Sequence, residues 1–175
     1  MGRCRFCKDR PTFSATPDIF ADDNLFANMF YYTIDSEAIL EMVDGEVSRV
    51  ADAAYGENGV SLYDQIVITE RDEDTLNRML GDAEASLVAR LGDICRFSSG
   101  STPCLEFYVP DFDETANGDI AEEEITKFIA YSVTGQFLSQ RHPASVPEYT
   151  DKTALALRNV ISILKTRKAP LESWT

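Results

Sequence analysis

The longest regular alternation of apolar and polar positions lies in residues 69–95. Its apolar positions recur every three or four residues, and the opposite face is largely charged. The apolar positions are Leu76, Leu80, Ala83, Leu87, Leu91 and Ile94. This spacing is typical of one buried face of a helix. Thr69 precedes Asp72 by three residues, a variant of the capping box, so we predict a helix from near Asp72 to about residue 96.

Three further segments show the same periodicity and predict helices. They are residues 35–55, 119–141 and 148–167. Asp35 or Ser36 can cap the first of these helices. Ser145 stands three residues before Glu148, which predicts a capping box for the last helix, and Pro147 suits a position in its first turn. Four amphipathic helices of this length predict a four-helix bundle.

One short segment alternates as a strand does. Leu105, Phe107 and Val109 are separated by Glu106 and Tyr108. A single strand leaves its backbone groups unpaired, so we expect it to pair with the region around residue 67 or with another chain. We predict that residues 62–68 form a linker that lies on the core and holds at most a short helix.

The first 33 residues are rich in aromatic side chains but lack a clear period. Their apolar surface either packs on the chain's own bundle or reaches a partner, and we predict an extended arm. The expected fold is therefore mainly α, a four-helix bundle with a short strand or hairpin insertion. The expected parts are an arm over 1–33, a helical domain over 34–170 and a tail over 171–175.

The net charge of −14 is unevenly distributed. Residues 1–10 and residues 151–175 each carry a charge of +3, which leaves −20 on residues 11–150. An acidic body of this kind repels nucleic acid and anionic membranes. The basic ends are either solvated tails or contacts for the acidic middle of a neighbouring copy. No signal peptide and no apolar run of about 20 residues is present, so we expect synthesis in a cytosol and no membrane span.

Cysteine and histidine offer few candidates for chemistry. Cys4 and Cys7 have the spacing of half a zinc site, whereas a closed structural site needs four ligands. Cys95, Cys104 and His142 are distant in the sequence. The spacing alone leaves zinc binding open, and we expect an incidental pair. We interpret Cys95 as a small core residue near the apolar face of its helix, and His142 as a surface residue at a helix end.

Acidic clusters also suggest metal sites, but their spacing does not match that of known metal-binding motifs. The run 122–124 lacks the Glu-x-x-His pairs of diiron bundles, so we read it as a solvated first turn of a helix. The acidic stretch 111–119 lacks the spacing of a calcium-binding EF-hand loop. Neither a glycine-rich phosphate loop nor a GxSxG elbow occurs. We expect no catalytic residue, no cofactor and no resident metal.

Two segments carry a resemblance to a known group of proteins. In the first, an acidic helix start leads into a long amphipathic helix with Asp72, Asp74, Leu76, Leu80, Ala83 and Leu87. The closing segment holds Leu157, Ile161, Leu164, Arg167, Lys168 and Pro170. Across residues 35–170 the chain resembles small neck- or tail-region proteins of phages and prophages of gut Bacteroidetes. Those proteins are similar to the head–tail connectors of tailed phages.

The resemblance implies a virion structural protein that is made in the cytoplasm of the bacterial host. It implies a homo-oligomeric ring, such as a dodecamer, between portal and tail, with portal and other neck or tail proteins as partners and no catalysis. DNA would pass through the channel without specific binding. We predict that the contacts between subunits or partners use Phe13, Ile19, Phe20, Phe26, Phe30, Tyr32, Leu105, Phe107, Arg167 and Lys168.

Two alternatives belong to other classes of protein. The first is a cytosolic helical adaptor or regulator that binds a protein partner through the aromatic arm. The second is a small metal-dependent enzyme that uses the acidic residues.

Overall fold

A computed structural model describes residues 29–98, 103–110 and 112–166. The helices are α1 (Ser36–Ala53), α2 (Tyr63–Ile66), α3 (Glu73–Leu91), α4 (Glu114–Arg141) and α5 (Val146–Leu164). The strands are β1 (Met29–Thr33), β2 (Cys95–Phe97) and β3 (Cys104–Tyr108). The prediction of a mainly α bundle with a short strand insertion is confirmed. Residues 29–33, which the prediction placed in the arm, form β1 and pair with β3.

Helix α4 lies at the centre of the body. Its 28 residues span about 42 Å at the usual helical rise, and α1, α3 and α5 all pack against it. Three consecutive residues, Phe128, Ile129 and Ala130, are buried, which happens only when a helix is covered from several sides. The buried Thr134 hydroxyl donates a hydrogen bond to the Ala130 carbonyl at 2.8 Å, so this polar group is satisfied inside the core.

Helix α1 agrees with the predicted segment and has Asp35 as its cap. The Asp35 carboxylate accepts a hydrogen bond from the backbone N–H of Ala38 at 3.1 Å. The capping box before α3 is also confirmed, because Asp72 accepts hydrogen bonds from the backbone N–H and the hydroxyl of Thr69, each at 2.8 Å. It caps a 3₁₀ turn that leads into α3.

The predicted end of α3 near residue 96 is wrong. The helix ends at Leu91 because Gly92 has a positive φ of 58°, a conformation that glycine adopts without a steric penalty. A 3₁₀ turn over Gly92–Ile94 follows and delivers Cys95 into β2. Cys95 is buried as predicted, but it lies on a strand and not on a helix.

The predicted start of α4 at Asp119 is wrong by more than one turn. Asp113 is the cap, and its carboxylate accepts a hydrogen bond from the backbone N–H of Ala116 at 3.3 Å. A Cβ atom on Gly118 would lie 3.9 Å from the ring of Phe30, so β1 is in van der Waals range of this early turn of α4. The cap and this contact together support helix through residues of weak intrinsic propensity.

The predicted capping box of α5 does not form. Ser145 Oγ lies 2.8 Å from His142 Nδ1 and makes no cap hydrogen bond, whereas Glu148 forms ion pairs with Arg49 and Lys152. Pro147 does lie in the first turn, as predicted. Arg49 on α1 and Lys152, one turn further along α5, bind Glu148 in place of the local cap.

The three strands form one antiparallel sheet in the order β1-β3-β2. In its register, Phe107 stands opposite both Phe30 and Cys95. The predicted pairing of β3 with the region around residue 67, or with another chain, is therefore wrong, because both neighbours of β3 come from its own chain. The inner face of the sheet contributes Phe30, Tyr32, Leu105 and Phe107 to the core.

Replacing Phe107 by alanine tests whether the sheet belongs to the core. Phe107 is fully buried and its ring centroid lies 5.5 Å from that of Phe30. We expect F107A to lower the free energy of unfolding by about 3–5 kcal/mol, because it removes a large buried ring and leaves a cavity. Urea denaturation measures this, with Y108A, at a neighbouring and partly exposed position, as the control. Equal effects of the two substitutions on the free energy of unfolding would contradict the assignment of the sheet to the core.

Candidate interaction surfaces

The predicted contact residues divide into two groups. Four of them, Phe30, Tyr32, Leu105 and Phe107, are at most 4% exposed and fill the chain's own core. Their side chains are therefore not available to a partner in this fold, and this part of the predicted interface needs correction. The remaining positions lie outside the described residues: Phe13, Ile19, Phe20, Phe26, Arg167 and Lys168.

Phe30 and Tyr32 of β1 thus pack on the chain's own bundle, which is the first of the two alternatives that the sequence left open. Phe30 contacts Phe107 and Phe112 with ring centroids at 5.5 and 5.4 Å. The Tyr32 hydroxyl lies 2.9 Å from Thr126 Oγ1 on α4. Aromatic content shows how much apolar surface must be covered, but it does not show whether the chain itself or a partner covers it.

A groove of about 260 Å³ lies beside the ends of the three strands. The residues that line it are Met29, Asp93, Ile94, Cys95, Arg96, Glu106 and Tyr108. Arg96 Nε donates a hydrogen bond to the Glu106 carboxylate at 2.7 Å across β2 and β3. This ion pair balances the charges of two side chains that line the groove. Tyr108, which is 41% exposed, supplies accessible aromatic surface there.

A polar cluster, which we call the Glu46 cluster, joins α1 to the beginning of α5. One oxygen of Glu46, Oε2, accepts hydrogen bonds from the Tyr149 hydroxyl at 2.8 Å and from Lys152 Nζ at 3.0 Å. Arg49 donates to the same oxygen at 3.3 Å and to Glu148 at 2.6 Å. Lys152 Nζ also lies 4.7 Å from the centre of the Tyr149 ring, within range of a cation–π interaction. The cluster fixes the position of α5 relative to α1.

The charges of the Glu46 cluster are mutually stabilised. Burial alone would raise the pKa of the Glu46 carboxyl, but the hydrogen bonds from Tyr149 and Lys152 outweigh it, and the pKa lies below its ordinary value. Burial and the bond to Glu46 raise the pKa of the Tyr149 hydroxyl. The carboxylate therefore stays ionised and the phenol stays protonated, which is the combination the hydrogen bonds require.

A second cluster joins the end of α4 to the beginning of α3. Arg141 Nη1 donates a hydrogen bond to the Val67 carbonyl at 2.7 Å, and Arg141 Nη2 pairs with the Asp72 carboxylate. The guanidinium also lies 4.6 Å from the centre of the Phe137 ring. Burial opposes ionisation of Asp72, but hydrogen bonds from Thr69 and the charge of Arg141 lower its pKa. Asp72 thus serves both the capping box and this connection.

The outward flanks of α1 and α5 carry opposite charge. Glu37, Glu41, Asp44 and Asp52 are exposed on α1, and their spacing places them on one side of the helix. From Lys152 to Thr166, α5 and the residues after it hold only positive charges, of which Arg158 and Lys165 are exposed. The net positive C-terminal region was visible in the sequence, but its position on the flank of one helix was not.

The loop after α1 is a further exposed apolar surface that sequence analysis did not identify. Tyr55 forms an isolated bridge with Ser61, and the Gly56 N–H donates a hydrogen bond to the Val60 carbonyl at 2.8 Å. Tyr55 is 64% exposed and Val60 is 59% exposed, with Tyr63 close by in sequence at 37%. Exposed apolar groups of this size are common at sites of protein–protein contact when they form a contiguous patch.

The remaining candidates for chemistry have structural surroundings. Burial raises the pKa of the Cys95 thiol to about 12, which keeps it protonated. Glu124 was predicted to be solvated in a first turn, but it lies well inside α4, and its carboxylate binds Lys127 and Asn159, each at 2.8 Å. The pair with Asn159 connects α4 to α5. His142 is a partly buried helix cap, close to the predicted role.

Within residues 29–98, 103–110 and 112–166, no three or more His, Cys, Asp or Glu side chains are grouped so that they could hold a metal ion. In the same residues, none of the helices has both the length and the apolar character required to cross a membrane. Cys4 and Cys7 lie outside these residues.

Comparison with known proteins adds no relative. No family model, no curated protein and no solved structure matches this chain.

Replacing Glu46 by glutamine tests the Glu46 cluster. The Glu46 pKa is lower in the folded protein than in the unfolded chain, so the folded state binds fewer protons and the stabilisation is lost as pH falls through the folded pKa. We expect E46Q to lower the free energy of unfolding by roughly 1–3 kcal/mol at neutral pH. We also expect a shallower loss of stability below the ordinary glutamate pKa of about 4.3.

Denaturation by urea at a series of pH values measures both effects. Glu41 offers a matched control, since it lies on the same helix but is exposed on the other flank. If E41Q and E46Q show the same stability and the same dependence on pH, the cluster does not contribute as described.

Proposed function

We propose that this chain is a non-catalytic structural subunit of a phage virion that assembles as a ring at the junction of portal and tail. The proposal starts from the resemblance of residues 35–170 to neck and connector proteins. In this role the protein works by fitting against further copies of itself and against the portal and other neck or tail proteins. DNA passes through the ring without being bound specifically.

The observation that carries the proposal is the behaviour of the two segments that hold the resemblance. Both form long helices that pack on α4. The apolar residues of α3 that carry the resemblance are buried: Leu76, Leu80, Ala83 and Leu87. In α5, Leu164 is buried, while Leu157 and Ile161 are only partly covered. The patterns therefore correspond to packed helices, and α5 keeps apolar surface that a neighbour can cover.

The rigidity of the body supports the same role. The Glu46 cluster joins α1 to α5, and the contact of Arg141 with Asp72 and Val67 joins α4 to the beginning of α3. A closed ring requires each subunit to present its two contact surfaces at a constant angle, because the rotation between neighbours must close the circle. Both sets of contacts lie beside the C-terminal half of α4, where Tyr149 packs close to Gly135 and Arg141 binds Asp72, and they help to hold the helices at constant angles.

The charge of the chain supports passage of DNA without binding. The formal net charge is −14. A surface of this sign repels phosphate groups, so it does not form the contacts to the DNA backbone that supply most non-specific affinity.

The mass of the purified full-length protein in solution tests the proposal. We expect a single closed oligomer of many copies, a dodecamer in the form that the resemblance implies. Light scattering coupled to size-exclusion chromatography gives the mass, and electron microscopy of the same fraction shows whether the particles are rings. Adding the portal provides a second condition, since a ring can require its neighbour as a template.

The alternatives give different results in the same experiment. A protein that remains a monomer at all concentrations, with and without portal, would contradict the ring. A monomer that captures one protein partner through the aromatic arm, predicted over residues 1–33, would instead support the adaptor. A stoichiometric metal ion in the purified protein would favour the small metal-dependent enzyme.

A further inference from the structure

The flank of α5 that points away from α1 is both apolar and basic. Helix α5 contacts α1 through Glu148, Tyr149 and Lys152. At 3.6 residues per turn, Leu157 and Ile161 lie on the other side of the helix, and both are only partly covered. The exposed cations Arg158 and Lys165 border them on that side. Leu157 and Ile161 also pack against the chain's own core, so only part of each is free. Asp151, two turns before Arg158 on the same side, is exposed as well, so the positive charge of the flank lies in its C-terminal half.

The flank of α1 that points away from α5 has the complementary charge. Glu46 and Arg49 face α5 in the same subunit. The acidic residues lie on the opposite side of the helix and are all exposed: Glu37, Glu41, Asp44 and Asp52. Each subunit thus presents one basic helix flank and one acidic helix flank. Because α1 and α5 contact each other through the sides that lie between these flanks, the two flanks point in different directions.

We infer that the apolar and basic flank of α5 binds the acidic flank of α1 in the next copy of this chain. The inference rests on the proposed ring and names the contact that would build it. Two different surfaces that recognise each other form a head-to-tail contact, which closes into a ring when the rotation between neighbours allows it. Opposite charge aligns the two helices and rejects the like-charged pairings, while Leu157 and Ile161 supply apolar area at the centre of the contact.

A second copy suits the flank of α5 better than a nucleic acid does. Only a few cations lie on this flank, and the whole chain carries a charge of −14, which opposes approach to a phosphate backbone. Helix α1 of another copy presents four carboxylates with helical spacing, which matches a cation-bearing helix of similar length. The occupant is therefore this chain itself.

Charge reversal on the two flanks tests the inference with full-length protein. One variant carries R158E and K165E on α5, and the other carries E41K, D44K and D52K on α1, which reverses the sign of the charge on that flank. All five side chains are exposed, so neither variant disturbs the core. We expect each variant alone to assemble only at a concentration at least about tenfold higher than the unmodified protein, because like charges then face each other.

Mixing the two variants is the decisive step. Each flank of one variant is then opposite in charge to the facing flank of the other, so we expect assembly to return as rings with alternating subunits. Such rings contain an even number of copies, which native mass spectrometry counts directly. R78E with R90E on α3 changes the net charge as the α5 variant does at exposed positions, and it is expected to assemble normally. Circular dichroism shows that all variants keep their helices.

The outcomes separate this inference from the proposed ring. If the unmodified protein never assembles, both fail. If it forms rings but the α5 and α1 variants assemble as well as the α3 control, the ring stands and this contact is overturned. If both variants fail to assemble alone and their mixture also fails, the pairing of α5 with α1 is overturned as well.

Discussion

The burial of α4 between α1, α3 and α5 is the interaction on which the rest of the structure depends. Each of the three outer helices has one apolar stripe, and none of these stripes is covered unless α4 provides the opposing surface. Phe128, Ile129 and Ala130 illustrate the requirement, because three successive residues point in three directions and all are buried. The small sheet adds to the same core through Phe30 and Phe107.

Close packing against α4 also limits what each outer helix can do. A Cβ atom on Gly135 would lie 3.3 Å from Cβ of Tyr149, so α4 and α5 approach closely at this point. The hydroxyl of Tyr149 then reaches Glu46, which brings α1 into the same arrangement. Besides their contribution to stability, these contacts define the angles between helices, and those angles determine where the outward flanks of α1 and α5 lie.

Regular periodicity made most helices predictable, and non-local contacts explain most of the errors. The bounds of α1 follow from its apolar spacing and from Asp35, both of which are local signals. The start of α4 was missed because Asp113, and not Asp119, caps the helix, and because Phe30 packs near Gly118 on its early turns. The Glu46 cluster was invisible for the same reason, since Glu46 and Tyr149 are 103 residues apart in the sequence. Aromatic residues assigned to a partner, such as Phe107, proved to belong to the core because composition does not reveal which surface covers them.

The central claim is that α4 holds a rigid body together while outward helix flanks make the contacts between copies. Hydrogen–deuterium exchange, measured on dilute and on assembled full-length protein, tests both parts at once. We expect the central residues of α4 to be the most protected in both states, with protection gained on assembly along α1 and the C-terminal half of α5. If protection is gained instead in β1 and β3, or if α4 exchanges as fast as the outer helices in the dilute protein, the account is contradicted.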